Sequence, residues 1–512
     1  MKERKNFVEA LQKEDNKTKT FTENGATAYE SSGKYLLNFN FKLSQYRNMD
    51  EEDIKNDFSK VFFEDPLIAT KFVFYVGDIR GGLGERKVFN ACFSWLIDNK
   101  PEIATKLLDL IPEYTRWDNL CKVITSNMYS YVREILIEQL SKDIRNMNEG
   151  KSISLLAKWM PSINTSSKET VELAKFICKS IGWTPKQYRK TLAKLRKYLD
   201  VVEVKMSSND WKSIEYSTVP SQANLKYNEA FLRNDAERRI EYLNSLAKGE
   251  TKINASVSQP HEIVRKYIAG KFWFSEEVKE YDATLEEMWK ALPNLHVEDS
   301  LVVRDGSGSM RCLAGDGKTS CLNIATALAI YCAEHNSEQW KDKFITFSSR
   351  PKFIDLSKCK TLRDKIVRCN SETDCSNTNI AATMDLILDT AIKNNMSQED
   401  MPSNIIIISD MQFDQSRYNG FGWDKTLFEE ISNKYNFYGF KLPRIIFWNV
   451  CSRDFNTIPM LSNELGLVLC SGFSIANLNM FMSGEINPYK VLVEQINNER
   501  YNIIEERVID IL

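Results

Sequence analysis

Asp305, Ser307 and Ser309 stand at alternate positions in the run Leu301-Val302-Val303-Arg304-Asp305-Gly306-Ser307-Gly308-Ser309-Met310. One short stretch thus offers a carboxylate and two hydroxyls. All three are hard oxygen donors, which suit Mg²⁺ or Mn²⁺ rather than zinc or copper. Other chemistries fit the same residues poorly. A phosphotransferase of the Asp-x-Asp type needs a carboxylate at Ser307, and a nucleophile elbow needs Gly-x-Ser-x-Gly, where Ser307 has Asp305 and Ser309 instead. The three histidines, His261, His296 and His335, offer the stretch no evident base. Taken alone, these residues also read as an ordinary Ser/Gly-rich strand-to-helix loop with a helix cap.

The elements around this turn decide what it can do. Leu301 to Val303 reads as a buried strand, and a helix is expected over Cys321 to Glu334. Further strands are expected at Phe344 to Phe347, Asn404 to Ser409, Arg444 to Val450 and Leu467 to Cys470, with helices at Ile380 to Lys393, Lys425 to Lys434 and Tyr489 to Asn497 between or after them. The four isoleucines from Ile405 to Ile408 suit a strand buried on both faces of a parallel sheet, so this half is a doubly wound α/β domain. Its central strand ends in Ser409-Asp410, which puts a second carboxylate at a strand's carboxyl end, where open α/β sheets build ligand sites.

The first half follows another pattern. Apolar segments at Pro66 to Val76, Val88 to Ile97, Ala104 to Ile111, Leu120 to Ser126, Val132 to Leu140, Val171 to Ile181 and Pro185 to Leu199 are separated by Pro, Gly and Asn. Short helices in series suggest an α-helical repeat, a ring or solenoid in which each pair buries its stripe against its neighbours. The fold class expected is therefore multidomain, α followed by α/β, with a flexible arm over residues 1–33, a helical module over 34–297 and the α/β domain over 298–512. Gly81, Gly82 and Gly84 lack the Gly-Lys-Ser/Thr ending of a phosphate loop and read as a helix-to-helix turn.

Bulk composition narrows the classes. The 512 residues contain 43% hydrophobic and 27% charged residues with a net charge of −2, so no global field marks a nucleic-acid binder and any such surface is local. Eleven scattered cysteines without a Cys-x-x-Cys pair argue against a zinc module and for a reducing compartment. Met1 to Thr20 is charged and has no apolar core, so a signal peptide is not expected, nor is any run of about 18 apolar residues that would span a bilayer. One local excess stands out. Residues 151–200 carry eleven Lys and Arg against three acids. In the segment from Lys186, the residues Tyr188, Leu192, Leu195 and Leu199 form a buried stripe, and Lys186, Arg189, Lys190, Lys194, Arg196 and Lys197 cover the rest. A solvated helix face usually mixes signs, so polyanion contact competes with the solvated-face reading. Tyr188, Trp159 and Trp183 could stack on bases, though each also suits a core.

Two resemblances extend the reading. The Asp-x-Ser-x-Ser turn, Thr378 in the loop Ser376-Asn377-Thr378-Asn379, and Asp410 resemble the metal-ion-dependent adhesion site of the von Willebrand factor A fold, a Rossmann-like domain. That resemblance implies a Mg²⁺ (or Mn²⁺) site of Asp305, Ser307, Ser309, Thr378 and Asp410, with a position left for an acidic group from a protein partner. Gly306 departs from the bulkier residue that many members carry. The string Gly77-Asp78-Ile79-Arg80-Gly81-Gly82-Leu83-Gly84-Glu85-Arg86, the pair Ile111-Pro112-Glu113-Tyr114 and Arg116-Trp117-Asp118, the run Leu155 to Ser162, Tyr188-Arg189 and Met411-Gln412-Phe413 look like motifs of proteins related to the Ro ribonucleoproteins. In that family a helical-repeat, HEAT-like TROVE module precedes the A domain. The resemblance implies a non-enzymatic scaffold that binds single-stranded or misfolded RNA through Lys158, Lys186, Arg189, Lys190, Lys194, Arg196 and Lys197. The cysteine usage, with no signal peptide or apolar span expected, makes the expected setting cytoplasmic and away from membranes. The alternative is an interaction or structural protein, virion-associated and without RNA.

Overall fold

The computed structural model describes residues 19–21, 27–269, 277–315, 317–347, 351–372, 380–412, 427–451, 453, 458, 466–480 and 485–512. The chain divides into two compact units that exchange segments. One takes the described residues of Met1–Asp53, Gln259–Asp282 and Leu292–Ile496, the other those of Ile54–Ser258, Ala283–Ala291 and Asn497–Leu512. Among the described residues no helix is long and apolar enough to cross a membrane.

The first unit is built on a six-stranded sheet whose strands are β1 (Ser300–Asp305), β2 (Lys343–Phe347), β3 (Phe353–Asp355), β4 (Asn404–Ser409), β5 (Arg444–Asn449) and β6 (Leu467–Ser471). Their spatial order is β6-β5-β4-β1-β2-β3. All neighbours are parallel except β3, which runs antiparallel on the edge. Ile405 to Ile408 of β4 are wholly buried, as expected of a strand covered on both faces. The helix Cys321–Glu334 follows the turn after β1, and thirteen of its fourteen residues are buried, so it packs as an all-round apolar element. Ser320 caps it by accepting from the Asn323 N–H at 3.0 Å.

The second unit is helical. Pro66–Gly77 begins with Pro at its first position and with Asp65 accepting from Ile68 N–H at 3.0 Å, then buries ten residues on every side. Helices follow at Arg86–Asn99, Pro101–Leu107, Trp117–Val123, Tyr129–Asn148, Lys168–Ser180 and Pro185–Tyr198, close to the expected segments. The glycine run lies between the helices Pro66–Gly77 and Arg86–Asn99. A Cβ on Gly82 would stand 2.0 Å from the Tyr75 carbonyl oxygen, and Gly84 has φ +67°, so the turn needs glycine for close approach and backbone shape.

The division differs from the sequential one expected with breaks after residues 33 and 297. The helix Tyr35–Phe41 packs on β6, where Ser44 N–H donates to Ser471 Oγ at 3.1 Å and Ser44 Oγ–H to the Asn449 carbonyl at 3.1 Å. Part of the expected arm is also tied down. Lys19–Phe21 pairs antiparallel with Thr27–Tyr29, and Tyr29 exchanges backbone hydrogen bonds of 2.8 and 2.7 Å with Ile458. At the other end, Lys71 is 2% exposed and donates to Glu505 Oε2 at 2.5 Å and to Asn497 Oδ1 at 3.1 Å. Buried Asp78 accepts from the Arg500 guanidinium and from the Tyr501 hydroxyl. Two buried charges inside the helical unit are thus satisfied by residues more than 400 positions away, which draws the chain's end into that unit.

Candidate metal centre and cationic face

Asp305 is the last residue of β1, and Asp410 follows β4, the parallel neighbour with which Arg304 pairs at Ile408. From β1 the order runs one way through β2 to β3 and the other through β4 to β6, so the two carboxylates sit at the carboxyl ends of the strands where the order reverses. That crevice is where open parallel sheets bind ligands, because the connecting loops part there.

The turn after β1 is organised around Asp305. Its Oδ1 accepts from Ser307 N–H at 2.8 Å, and its Oδ2 accepts from the Ser409 hydroxyl at 2.5 Å. The Ser307 and Ser309 hydroxyls lie 2.9 Å apart. Gln412 N–H donates to Asp410 Oδ1 at 3.2 Å, and Arg453 Nη2 donates to Asp410 Oδ2 at 2.9 Å. Ser409, the residue between the isoleucines and Asp410, was not among the expected site residues. The sequence signal for it is a hydroxyl at the last position of the isoleucine strand.

Both carboxylates are buried, Asp305 wholly and Asp410 to 1% exposure. Burial, then the negative charge of Asp410, pushes the Asp305 carboxyl up to about 7, and burial followed by the charge of Cys451 raises Asp410 as well. Arg453 gives Asp410 one positive neighbour. The donors on this rim are two carboxylates and two or three hydroxyls, all hard oxygen, and the like charges of the pair favour a small divalent cation between them. The residues therefore fit such an ion. Thr378, the remaining expected ligand, lies outside the described residues, as does Phe413 of the family-like run.

Three sulfurs stand on the same sheet edge: Cys312, three residues beyond Ser309, Cys321 at the start of its helix, and Cys451, two residues beyond β5. Hydrogen bonds from Cys312 and Cys321 pull the Cys451 thiol down to about 3, and the same contacts push Cys321 well up. The argument against a zinc module from the absence of a Cys-x-x-Cys pair considers only neighbours along the chain. Here 139 positions separate two sulfurs that meet in space, which no Cys-x-x-Cys search detects.

The expected RNA contacts divide into two groups. The helix Pro185–Tyr198 starts with a reciprocal cap between Thr184 and Gln187 and buries Tyr188, Leu192 and Leu195. Tyr188 is fully buried and its hydroxyl donates to the Pro161 carbonyl at 2.8 Å, so it is not available for base stacking. Lys186, Arg189, Lys190, Lys194 and Lys197 are exposed, and none makes an ion pair among the described residues. Spacings of three, four and eight place most of them on one face. Arg196 belongs with the buried side instead. Its guanidinium donates to the Ala157 and Met160 carbonyls at 2.8 Å each and to Ser162 Oγ at 3.0 Å, clamping the loop after the helix Leu156–Trp159. Burial lowers its pKa. Lys158 is half-buried with its ammonium 5.6 Å from the Trp159 ring, and Arg116 covers that ring at 4.3 Å.

A family model described as a domain of unknown function, DUF2828, matches residues 22–116 and 122–295, and another described as a domain of unknown function, DUF7788, matches 299–508. The protein of Acanthamoeba polyphaga mimivirus named "Uncharacterized protein L728" is 30% identical over 516 residues, which span 93% of this chain and 86% of that relative.

Proposed function

The chain belongs to the DUF2828 family, and from the surfaces it carries we propose that it is a non-enzymatic RNA-binding scaffold of the Ro ribonucleoprotein type. In this reading the helical unit is a HEAT-like TROVE module that holds single-stranded or misfolded RNA along Lys186, Arg189, Lys190, Lys194 and Lys197. The sheet unit is a von Willebrand A-like domain. Its Asp305, Ser307, Ser309 and Asp410, joined by Thr378, hold Mg²⁺ or Mn²⁺. The bound cation supplies a Lewis-acidic position for an acidic group of a partner protein.

The observation that carries the proposal is the row of exposed cations without acidic partners on one capped helix. Ordinary exposed helix faces pair opposite charges at three and four residues, which lowers their own repulsion. Phosphates would supply the missing anions. A binding role is also supported by the hydroxyls of the metal centre, which face carboxylates and each other, while the His261 ring meets Phe473 edge to face and His335 stacks on Tyr331. Fluorescence anisotropy with labelled single-stranded and misfolded RNA tests the proposal. Binding at low salt that weakens steeply as salt rises is expected, and no binding at low salt refutes it.

A second reading is a virus-associated interaction protein that works without RNA; the mimivirus relative supports its viral setting. Under it, Asp305→Ala abolishes a protein complex and charge reversal at Arg189 and Lys190 has no effect on that complex. Both readings place the protein away from membranes, the first in the cytoplasm.

A further inference from the structure

Cys312, Cys321 and Cys451 come together although they lie in three different parts of the sheet unit. Cys312 Sγ is 3.4 Å from Cys321 Sγ and 3.8 Å from Cys451 Sγ, and all three sulfurs fall within 4.8 Å of one another. We propose that these three cysteines form a thiolate site for one zinc ion, separate in chemistry from the oxygen-lined centre beside it.

The spacing matches the geometry of such a site. With Zn–S bonds of about 2.3 Å, the edge of a tetrahedron of sulfurs is about 3.8 Å. Three thiolates leave one tetrahedral position, which a water or an outside donor fills. The site opens where Cys312 is half-buried, while Cys321 and Cys451 are closed in the core. A buried trio of small hydrophobic thiols would be the ordinary alternative.

Two backbone features would stabilise thiolate sulfurs once the ion has displaced the protons that Cys312 and Cys321 hold in its absence. Cys321 is the first residue of a fourteen-residue helix, so the positive end of the helix dipole lies beside its sulfur. Arg453 N–H donates to Cys451 Sγ at 3.4 Å, and Cys451 N–H is itself held by Asn449 Oδ1 at 2.9 Å. Cys321 N–H donates to the Cys312 carbonyl at 3.0 Å, which fixes the turn that carries Cys312 against the helix start. Such outer contacts orient ligands before the ion arrives. Zinc would then tie the turn after Ser309 to the loop after β5, the two loops that carry oxygen donors and Arg453.

Zinc binding to thiols releases their protons, so affinity rises with pH. The test uses the full chain, purified under reducing conditions, loaded with Zn²⁺ alone and passed through gel filtration before metal analysis. One zinc per chain is expected in the wild type and in Cys359→Ser, a control cysteine elsewhere in the unit. Chelator competition should show at least about a hundredfold weaker binding in Cys312→Ser and Cys451→Ser, because losing a ligand costs no less than losing an outer-shell partner. Should the serine variants fail to fold, Co²⁺ titration of the wild type decides the matter. A sulfur-to-cobalt charge-transfer band saturating at one equivalent supports the site. No such band, zinc retained equally by the folded variants, or a disulfide within the trio in the reduced preparation overturns it.

Discussion

Lys190→Ala with Lys194→Ala is the sharpest perturbation of the proposed RNA face. The two residues are one helical turn apart, exposed, and without ion pairs among the described residues, and alanine costs the helix nothing in propensity. Each neutralised phosphate on a single strand contributes a slope of about 0.7 in log affinity against log salt. Five free cations therefore give a slope of about 3.5, a loss of roughly a hundredfold in affinity between about 50 and 200 mM salt. Three remaining cations give a slope of about 2.1 and a loss of roughly twentyfold. Anisotropy titrations at four salt concentrations measure both slopes. A wild-type slope below about 1, or a double variant with the wild-type slope, refutes the reasoning that this face meets phosphate.

Arg196→Ala is expected to leave the salt slope unchanged and to lower unfolding stability by about 2 kcal/mol or more, since two carbonyls and a hydroxyl lose a charged donor; urea denaturation followed by circular dichroism checks this. Asp305 gives a pH dependence of definite sign. Its folded pKa of about 7 lies above its unfolded value, so the folded state holds the extra proton and metal-free stability falls as pH rises across the window from about 4 to about 7, by at most about 4 kcal/mol. Thermal unfolding of the wild type relative to Asp305→Asn, in chelator, should show this fall, and Mg²⁺ should restore stability only at the upper end of the window. A wild type that gains on Asp305→Asn with rising pH in chelator contradicts the assignment. Gly82→Ala forces a methyl group onto the Tyr75 carbonyl oxygen and is expected to cost about 3 kcal/mol or more, read from the urea midpoint, with no change in RNA slope for the protein that remains folded.

Much of the oxygen site was legible in the chain itself because its signals are local. A run of apolar residues ending in a carboxylate marks the end of a buried strand, and both β1 with Asp305 and β4 with Asp410 follow that rule. The stripe of Tyr188, Leu192 and Leu195 was equally local, since the helical period alone decides which side is buried. Period alone did not say that Arg196 faces the loop at 157–162, because that depends on where another segment of chain passes.

What only the tertiary structure decided depends on contacts between distant positions. Asp78 and Lys71 select residues 497–512 as their partners, and Ser44 selects β6, so the units exchange segments that a linear reading assigns by sequence order. The order of strands puts Asp305 and Asp410 at one crevice, and the same edge gathers Cys312, Cys321 and Cys451. A one-dimensional pattern determines which side of an element is buried. Pairing of charges and sulfurs is settled by the path of the chain through space, where burial makes an unmatched charge costly enough to choose a partner hundreds of residues away.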